Sequence, residues 1–289
     1  MIEEIPGGAG LRARTLHALS RMSVWTTLSL GPMQGPMARL MFMADAVFRS
    51  VPRLRGTSHE KVRAGPWSAE LVTAGTPSDD GAILYLHGGA FLFCGVNSHR
   101  RVVERLAVST GLPVLSVDYR QLPQGLYDDT LADCTEAFEW LLDRGFDPRR
   151  VVLAGDSAGG HLAFALAQRL YAAGTGRVAG IAAFSPWLDF HGAVDPDASL
   201  SPVYGDLSGL PPVLMTCAAD EVFRGDAELM AARLQVAGQP YLLTIWHGMV
   251  HAFPVLAHTL PESRLALDLT AEFVRDCLAE PAHGAFEVA

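Results

Sequence analysis

Six short runs rich in Val, Ile and Leu, at 82–86, 113–118, 151–154, 179–184, 213–216 and 242–246, alternate with stretches of helical apolar spacing at 100–109, 130–144, 160–172, 226–237 and 262–278. Strands alternating with helices predict a mostly parallel sheet connected by helical crossovers, and therefore an α/β fold. The strand runs are almost continuously apolar, so both sheet faces are expected to be covered. With 289 residues and 49% hydrophobic content, the chain can fill the core of one such domain. Residues before about Glu60 do not follow the alternation. The stretch holding Trp25, Met33, Met37, Met41, Phe42, Met43 and Phe48 reads as two apolar helices punctuated by Gly31-Pro32 and Gly35-Pro36. The organisation expected is a helical cap over 1–58, a second cap element near 187–210, and the α/β domain over 59–289.

Composition removes several function classes. A formal net charge of −9 without any Lys/Arg run argues against a nucleic-acid partner, because phosphate backbones select basic patches. Cys94, Cys134, Cys217 and Cys277 are scattered without metal-ligand spacing, and no Cys-x-x-Cys pair occurs; no metal is expected. Glu3 and Glu4 stand where a secretory signal carries positive charge, and no apolar run reaches the ~18 residues that span a bilayer. The expected location is cytoplasmic.

Open parallel sheets bind ligands beyond the carboxyl ends of their strands, and those positions are rich in chemistry here. After the run at 151–154 comes Gly155-Asp156-Ser157-Ala158-Gly159-Gly160, which opens an apolar helix. A strand–turn–helix of this kind holds its central serine on a strained backbone between small neighbours and exposes the hydroxyl as a nucleophile. Serine needs a base. His251 follows the last strand run and Gly248 can turn it over the sheet edge, whereas His247 ends that run and can point into packing. The base in turn needs a carboxylate to fix its tautomer. Asp220, at the end of the 213–216 strand and its continuation, is the expected partner. Glu221 and Asp226 are the competitors, read as a loop-surface and a helix-start carboxylate. Gly88 and Gly89 follow the first run, and their N–H groups with that of Ala158 are expected to hold a developing oxyanion. His87 is expected to pin this loop by hydrogen bonding.

The set His87-Gly88-Gly89-Ala90-Phe91, Asp118-Tyr119-Arg120, the 155–160 turn, Asp220-Glu221-Val222 and Gly248-Met249-Val250-His251 resembles the hormone-sensitive-lipase-like esterases, from about Ile83 to the C-terminus. The resemblance implies an eight-stranded α/β-hydrolase sheet, an N-terminal helical cap, a possible homodimer, and cofactor-free hydrolysis of short- to medium-chain carboxylic esters by water through an acyl-enzyme on Ser157. Related amide hydrolases, formamidases among them, share these motifs, and a non-catalytic receptor on the same fold is expected to lack a triad member. Two departures stand out: Ala90 replaces a third glycine, and Gln121-Leu122-Pro123-Gln124 replaces Leu-Ala-Pro-Glu. Phe91, Phe93, Trp187 and Phe253 flank the motifs and are the candidates for shaping a substrate pocket.

Overall fold

A computed structural model describes residues 1–6, 45–190, 199–257 and 259–279. The five outer elements on one side of the sheet are β1 (Ile2–Ile5), β9 (Tyr241–Trp246), β8 (Val213–Ala218), β7 (Gly180–Phe184) and β6 (Val151–Asp156). They continue into β4 (Ala82–Leu86), β5 (Val114–Asp118), β3 (Trp67–Ala74) and β2 (Thr57–Ala64). Only β3 runs against the others, pairing antiparallel with both β2 and β5. All six strand runs read from the sequence are strands of this sheet.

Among the described residues the sheet has nine strands where the resemblance implied eight, and one of the unforeseen strands corrects the expected cap. Ile2–Ile5 lies along β9 in parallel register, Ile2 opposite Leu243 and Ile5 opposite Trp246. Residues 57–58 also belong to the sheet, in β2. The edge of β9 would otherwise present unpaired N–H and C=O groups. Here the Leu243 N–H donates to Met1 O and the His247 N–H to Ile5 O. Four residues with Glu-Glu at their centre carry no strand periodicity, so this pairing was invisible in the pattern. The Met-rich cap residues from Trp25 to Met43 lie outside the described residues, as do 191–198 of the second expected cap element.

Side chains alternate across the strands, which splits the core into two layers. On one face Leu84, Leu86, Leu153, Ile181 and Met215 pack with α2 (Tyr127–Asp143), α3 (Ala158–Ala172) and α4 (Arg224–Val236). On the other face Ile83, Tyr85, Val152 and Phe184 pack with α1 (Arg100–Thr110) and α5 (Pro261–Leu278). Among the described residues no helix is long and apolar enough to cross a membrane. The chain leaves β4 toward β5 on one side and β6 toward β7 on the other, so the crevice between the ends of β4 and β6 is the topological switch point where such sheets bind ligands.

Candidate active site

Ser157 sits at that switch point with φ 53° and ψ −118°, between the last residue of β6 and the first of α3. Such a conformation is costly for a residue with a side chain and persists only where surrounding bonds enforce it. Those bonds are present: the Ser157 N–H donates to Phe184 O at 2.9 Å, and Ser157 O accepts from the His161 and Trp187 N–H groups, both at 3.1 Å. A Cβ on Gly159 would collide with Leu86 O and His87 O, so the turn closes against β4 only with glycine there. The strained serine and its close-packed glycine form the elbow expected from the sequence.

His251 lies beyond β9, and the carboxylate that meets it is Glu221, not Asp220. The His251 Nδ1 to Glu221 Oε2 distance is 2.8 Å, with the Glu221 side chain 2% and the His251 side chain 23% exposed. Glu221 Oε1 also accepts from the Ala218 N–H at 3.2 Å, which anchors the carboxylate on the end of β8. Asp220 is exposed to solvent. The turn after Ala218 explains the correction: it directs residue 220 outward and brings residue 221 back over the strand end, where the longer side chain spans to the imidazole. Nδ1 is thereby engaged, and Nε2 is the nitrogen left to exchange a proton. The Ala252 N–H donates to Ser185 Oγ at 2.9 Å, and the Ser185 N–H to Thr216 O at 2.7 Å, tying the His251 loop to the ends of β7 and β8. His247 pairs with Glu4 of β1 at the protein surface, and Asp226 accepts from the Leu188 and Asp189 N–H groups. Neither meets His251.

The loop after β4 carries a second correction. The Gly88 N–H donates to Asp156 Oδ1 at 3.0 Å, so it is spent inside the protein and is not the donor expected from the sequence. Gly89, at φ 126°, and Ala90, at φ 53°, follow it, and among the described residues their N–H groups have no internal acceptor. With the Ala158 N–H at the first turn of α3, they form a set of free donors at the switch point. Asp156, one residue before Ser157, organises this loop from below. It accepts from Tyr85 Oη at 2.7 Å and meets His99 Nε2 at 3.2 Å. Burial alone would raise Asp156, but the charge and hydrogen bond of His99 hold it below the ordinary carboxylate value; His99 is raised in return, against its own burial. His87 stacks on Tyr119 with ring centroids 4.3 Å apart, and Tyr119 Oη donates to His87 O at 2.5 Å. Its Nδ1 lies 2.8 Å from Gly88 O, so His87 does pin the loop.

Beside the elbow an aromatic wall assembles. His161 Nδ1 donates to Trp187 O at 2.9 Å while Nε2 accepts from Tyr127 Oη at 2.8 Å, and the ring stacks on Phe190 at 4.2 Å. Phe91 meets Tyr127, His161, Trp187 and Phe190. Trp187 stacks on Phe223 at 5.4 Å, and Phe223 meets the His251 ring edge-on at 5.3 Å. Phe91 and Trp187 thus stand in the wall, whereas two other expected pocket residues do not. Phe253 is fully buried against Trp246, in a core that also holds Met249 and Leu260. Its place after His251 in sequence puts it behind the loop, filling the space under the turn. Phe93 lines a cavity with Trp67 and Cys94. Phe190, Phe223, Tyr127 and His161 were missed; ring contacts between distant segments leave no local spacing to read. Among the described residues no group of three His, Cys, Asp or Glu is arranged to hold a metal ion.

Two buried imidazoles give the stability a definite pH dependence. Burial, with the neighbouring His99 charge, lowers His87 to about 4, and burial lowers His161 to about 3. Both are neutral when folded but protonate near 6.5 once unfolded, so stability they contribute is complete above 6.5 and is lost as pH falls toward their folded values. His99, raised in the folded state, acts oppositely: its contribution is complete below 6.5 and is lost as pH rises through its folded value. At about 1.4 kcal/mol per pKa unit, His87 and His161 together remove on the order of 5 kcal/mol between pH 6.5 and 4.5. Urea midpoints measured across that range should fall steeply in the parent and less in His161→Asn. A flat profile would contradict the neutral, buried assignment.

The alpha/beta hydrolase fold family matches residues 83–199 and 192–255, in agreement with the sheet and elbow described above. The fold and site thus define an alpha/beta hydrolase. Carboxylesterase/phospholipase LipF of Mycobacterium tuberculosis is 34% identical over 319 residues, covering 96% of this chain and 85% of the relative. Esterase LipU of the same organism is 37% identical over 275 residues, covering 83% of this chain and 90% of the relative. Among solved structures, an esterase from the bacterial hormone-sensitive lipase family superposes with a TM-score of 0.81 at 28% identity, covering 94% of this chain and all of that one. EstE5 soaked with p-nitrophenyl butyrate gives a TM-score of 0.82 at 27% identity over the same shares. The chain belongs to the hormone-sensitive-lipase-like esterases, serine hydrolases of carboxylic esters.

Proposed function

We propose that this chain hydrolyses short-chain carboxylic esters through an acyl-enzyme on Ser157, with His251 as base and Glu221 as its orienting carboxylate. The observation that carries this reading is the conjunction of a strained, elbow-held Ser157 with the 2.8 Å His251–Glu221 contact. His251 Nε2 takes the Ser157 hydroxyl proton as Oγ attacks the ester carbon. The negative oxygen of the tetrahedral intermediate is held by the N–H groups of Gly89, Ala90 and Ala158. The C–O bond to the alcohol breaks as the leaving oxygen takes the proton from His251. Water, giving a proton to the same Nε2, then attacks the acyl carbon, and the proton returns to Ser157 Oγ as the carboxylic acid departs. Glu221 stabilises the imidazolium in both halves of the cycle.

Acyl length follows from the wall. Phe91, Trp187 and Phe223 form a continuous aromatic wall that reaches His251, which favours short acyl groups, and the similar EstE5 was soaked with p-nitrophenyl butyrate. Initial rates on p-nitrophenyl esters from acetate to laurate, together with N-formyl amides, test this reading. The expected optimum lies at acetate to butyrate with little amide turnover, and Trp187→Ala should move the optimum toward longer chains by about tenfold in relative kcat/KM, the scale of a few pocket methylenes. A laurate optimum in the parent, or faster cleavage of the amide, would overturn it. Four free thiols fit a reducing compartment, and we place the chain in the cytoplasm on that ground. The homodimer rests on resemblance alone and is settled by sedimentation.

A further inference from the structure

Outside the Ser157 crevice, five of the 22 Lys and Arg residues of this acidic chain line one cavity. A cavity of about 520 Å³ against β2, β3 and the start of α1 is lined by Arg49, Arg53, Lys61, Arg63 and Arg100, and Lys61 is the only lysine in the sequence. Two carboxylates, Glu70 and Asp118, share the lining. Glu70 is already taken: Arg53 meets it at 3.2 Å and His59 at 3.1 Å. Asp118 accepts from Ser68 Oγ at 3.2 Å. Among the described residues, Arg49, Lys61 and Arg63 have no carboxylate partner, so the cavity keeps an uncompensated positive excess. Self-repulsion of this kind destabilises the fold unless an anion relieves it.

A second observation points to a ligand. The Arg100 side chain is only 8% exposed and donates from one terminal nitrogen to Asn97 Oδ1 at 2.5 Å, while its Nε makes no hydrogen bond and forms a long ion pair with Glu70 at 3.6 Å. That ion pair is too long for a hydrogen bond and its carboxylate is shared with Arg53 and His59, so the buried guanidinium N–H is under-satisfied, and an anion seated in the cavity offers a further acceptor. Paired Arg forks with a Lys point charge match the several oxygens and double charge of a phosphate better than a single carboxylate. The neighbouring cavity of about 560 Å³ shares Arg63, Ser68 and Asp118 and reaches Phe93, three residues from the free N–H of Ala90. Phe93 in turn bends back on the donor loop, its N–H donating to Gly89 O at 3.1 Å, so the shared lining links the basic cavity to that loop.

We infer that the Arg49–Arg53–Lys61–Arg63–Arg100 cavity binds a phosphate-bearing anion, either the phosphate of an ester substrate or free phosphate. Only the distinction between these two sources rests on the proposed ester hydrolysis. Calorimetric titration of inorganic phosphate into full-length Ser157→Ala protein, at a constant ionic strength of about 150 mM, isolates site binding from screening. Saturable binding is expected, weakened at least about tenfold in Lys61→Ala/Arg63→Ala on that background, since both residues are exposed and their loss spares the core. Absence of saturable heat, equal affinity in the double variant, or chloride matching phosphate would overturn the inference. With Ser157 restored, a short-chain phosphatidate and the matching diacylglycerol separate the sources. A KM for phosphatidate raised about tenfold in the double variant, with the diacylglycerol unchanged, assigns the phosphate to substrate. Equal kinetics with phosphate binding retained in the parent assigns it to a free ligand. If neither ester is cleaved, the hydrolytic reading fails while the calorimetry still decides the anion site.

Discussion

Ser157→Ala is expected to reduce kcat for p-nitrophenyl butyrate by about 10⁶, the scale typical for loss of a serine nucleophile, with the fold intact. Removing Oγ deletes the covalent step, and the residual rate comes from donors that still polarise the carbonyl. The elbow makes this a clean test. Ser157 is held by its backbone N–H and C=O, so alanine keeps every bond that maintains the turn. Circular dichroism and the urea midpoint should match the parent. Retention of more than about a hundredth of the parent kcat would place the nucleophile elsewhere.

The second large effect separates two adjacent carboxylates. Glu221→Gln should lower kcat by about 10³–10⁴, because an amide can neither stabilise imidazolium nor enforce the donor tautomer at His251 Nδ1. Asp220→Asn, on an exposed side chain one residue earlier, should change kcat less than about threefold, as surface substitutions usually do. Steady-state kinetics on the two variants read the difference directly. The Ala218 N–H bond to Glu221 Oε1 survives in the glutamine variant, since the amide oxygen accepts it equally well. A drop in Glu221→Gln therefore reports chemistry and not collapse of the turn. Equal losses in both variants would mean that the carboxylates act as one electrostatic patch.

The residues that could be read in the sequence were those whose role shows locally. Six strands were legible because buried parallel strands are apolar from end to end, and the elbow because glycines flank Ser157 where two backbones touch. The antiparallel β2–β3 pair was missed: β2 has exposed positions on both faces, and Ser58, Glu60, Lys61 and Arg63 break the apolar run. β1 was missed because its order comes from pairing with β9 across most of the chain.

The corrections at the site share a cause. Whether residue 220 or 221 faces His251 depends on how a turn rotates after Ala218, and a rotation of one residue reverses inside and outside. The Gly88 donor was misassigned for the same reason, since Asp156 captures it through a contact spanning 68 positions. Asp156 itself had a signal, as a carboxylate between strand and nucleophile is either buried with a partner or absent. Its partners Tyr85 and His99 could be identified only in three dimensions.

The most direct test of the account is the rate and site of covalent labelling by a fluorophosphonate ester, followed by peptide mass in the parent, Asp220→Asn and Glu221→Gln proteins. The expected result is a single adduct on the peptide carrying Ser157, formed at the parent rate in Asp220→Asn and slowed by at least about a hundredfold in Glu221→Gln. An adduct on another residue, or slowing in Asp220→Asn equal to that in Glu221→Gln, would contradict the Ser157–His251–Glu221 assignment.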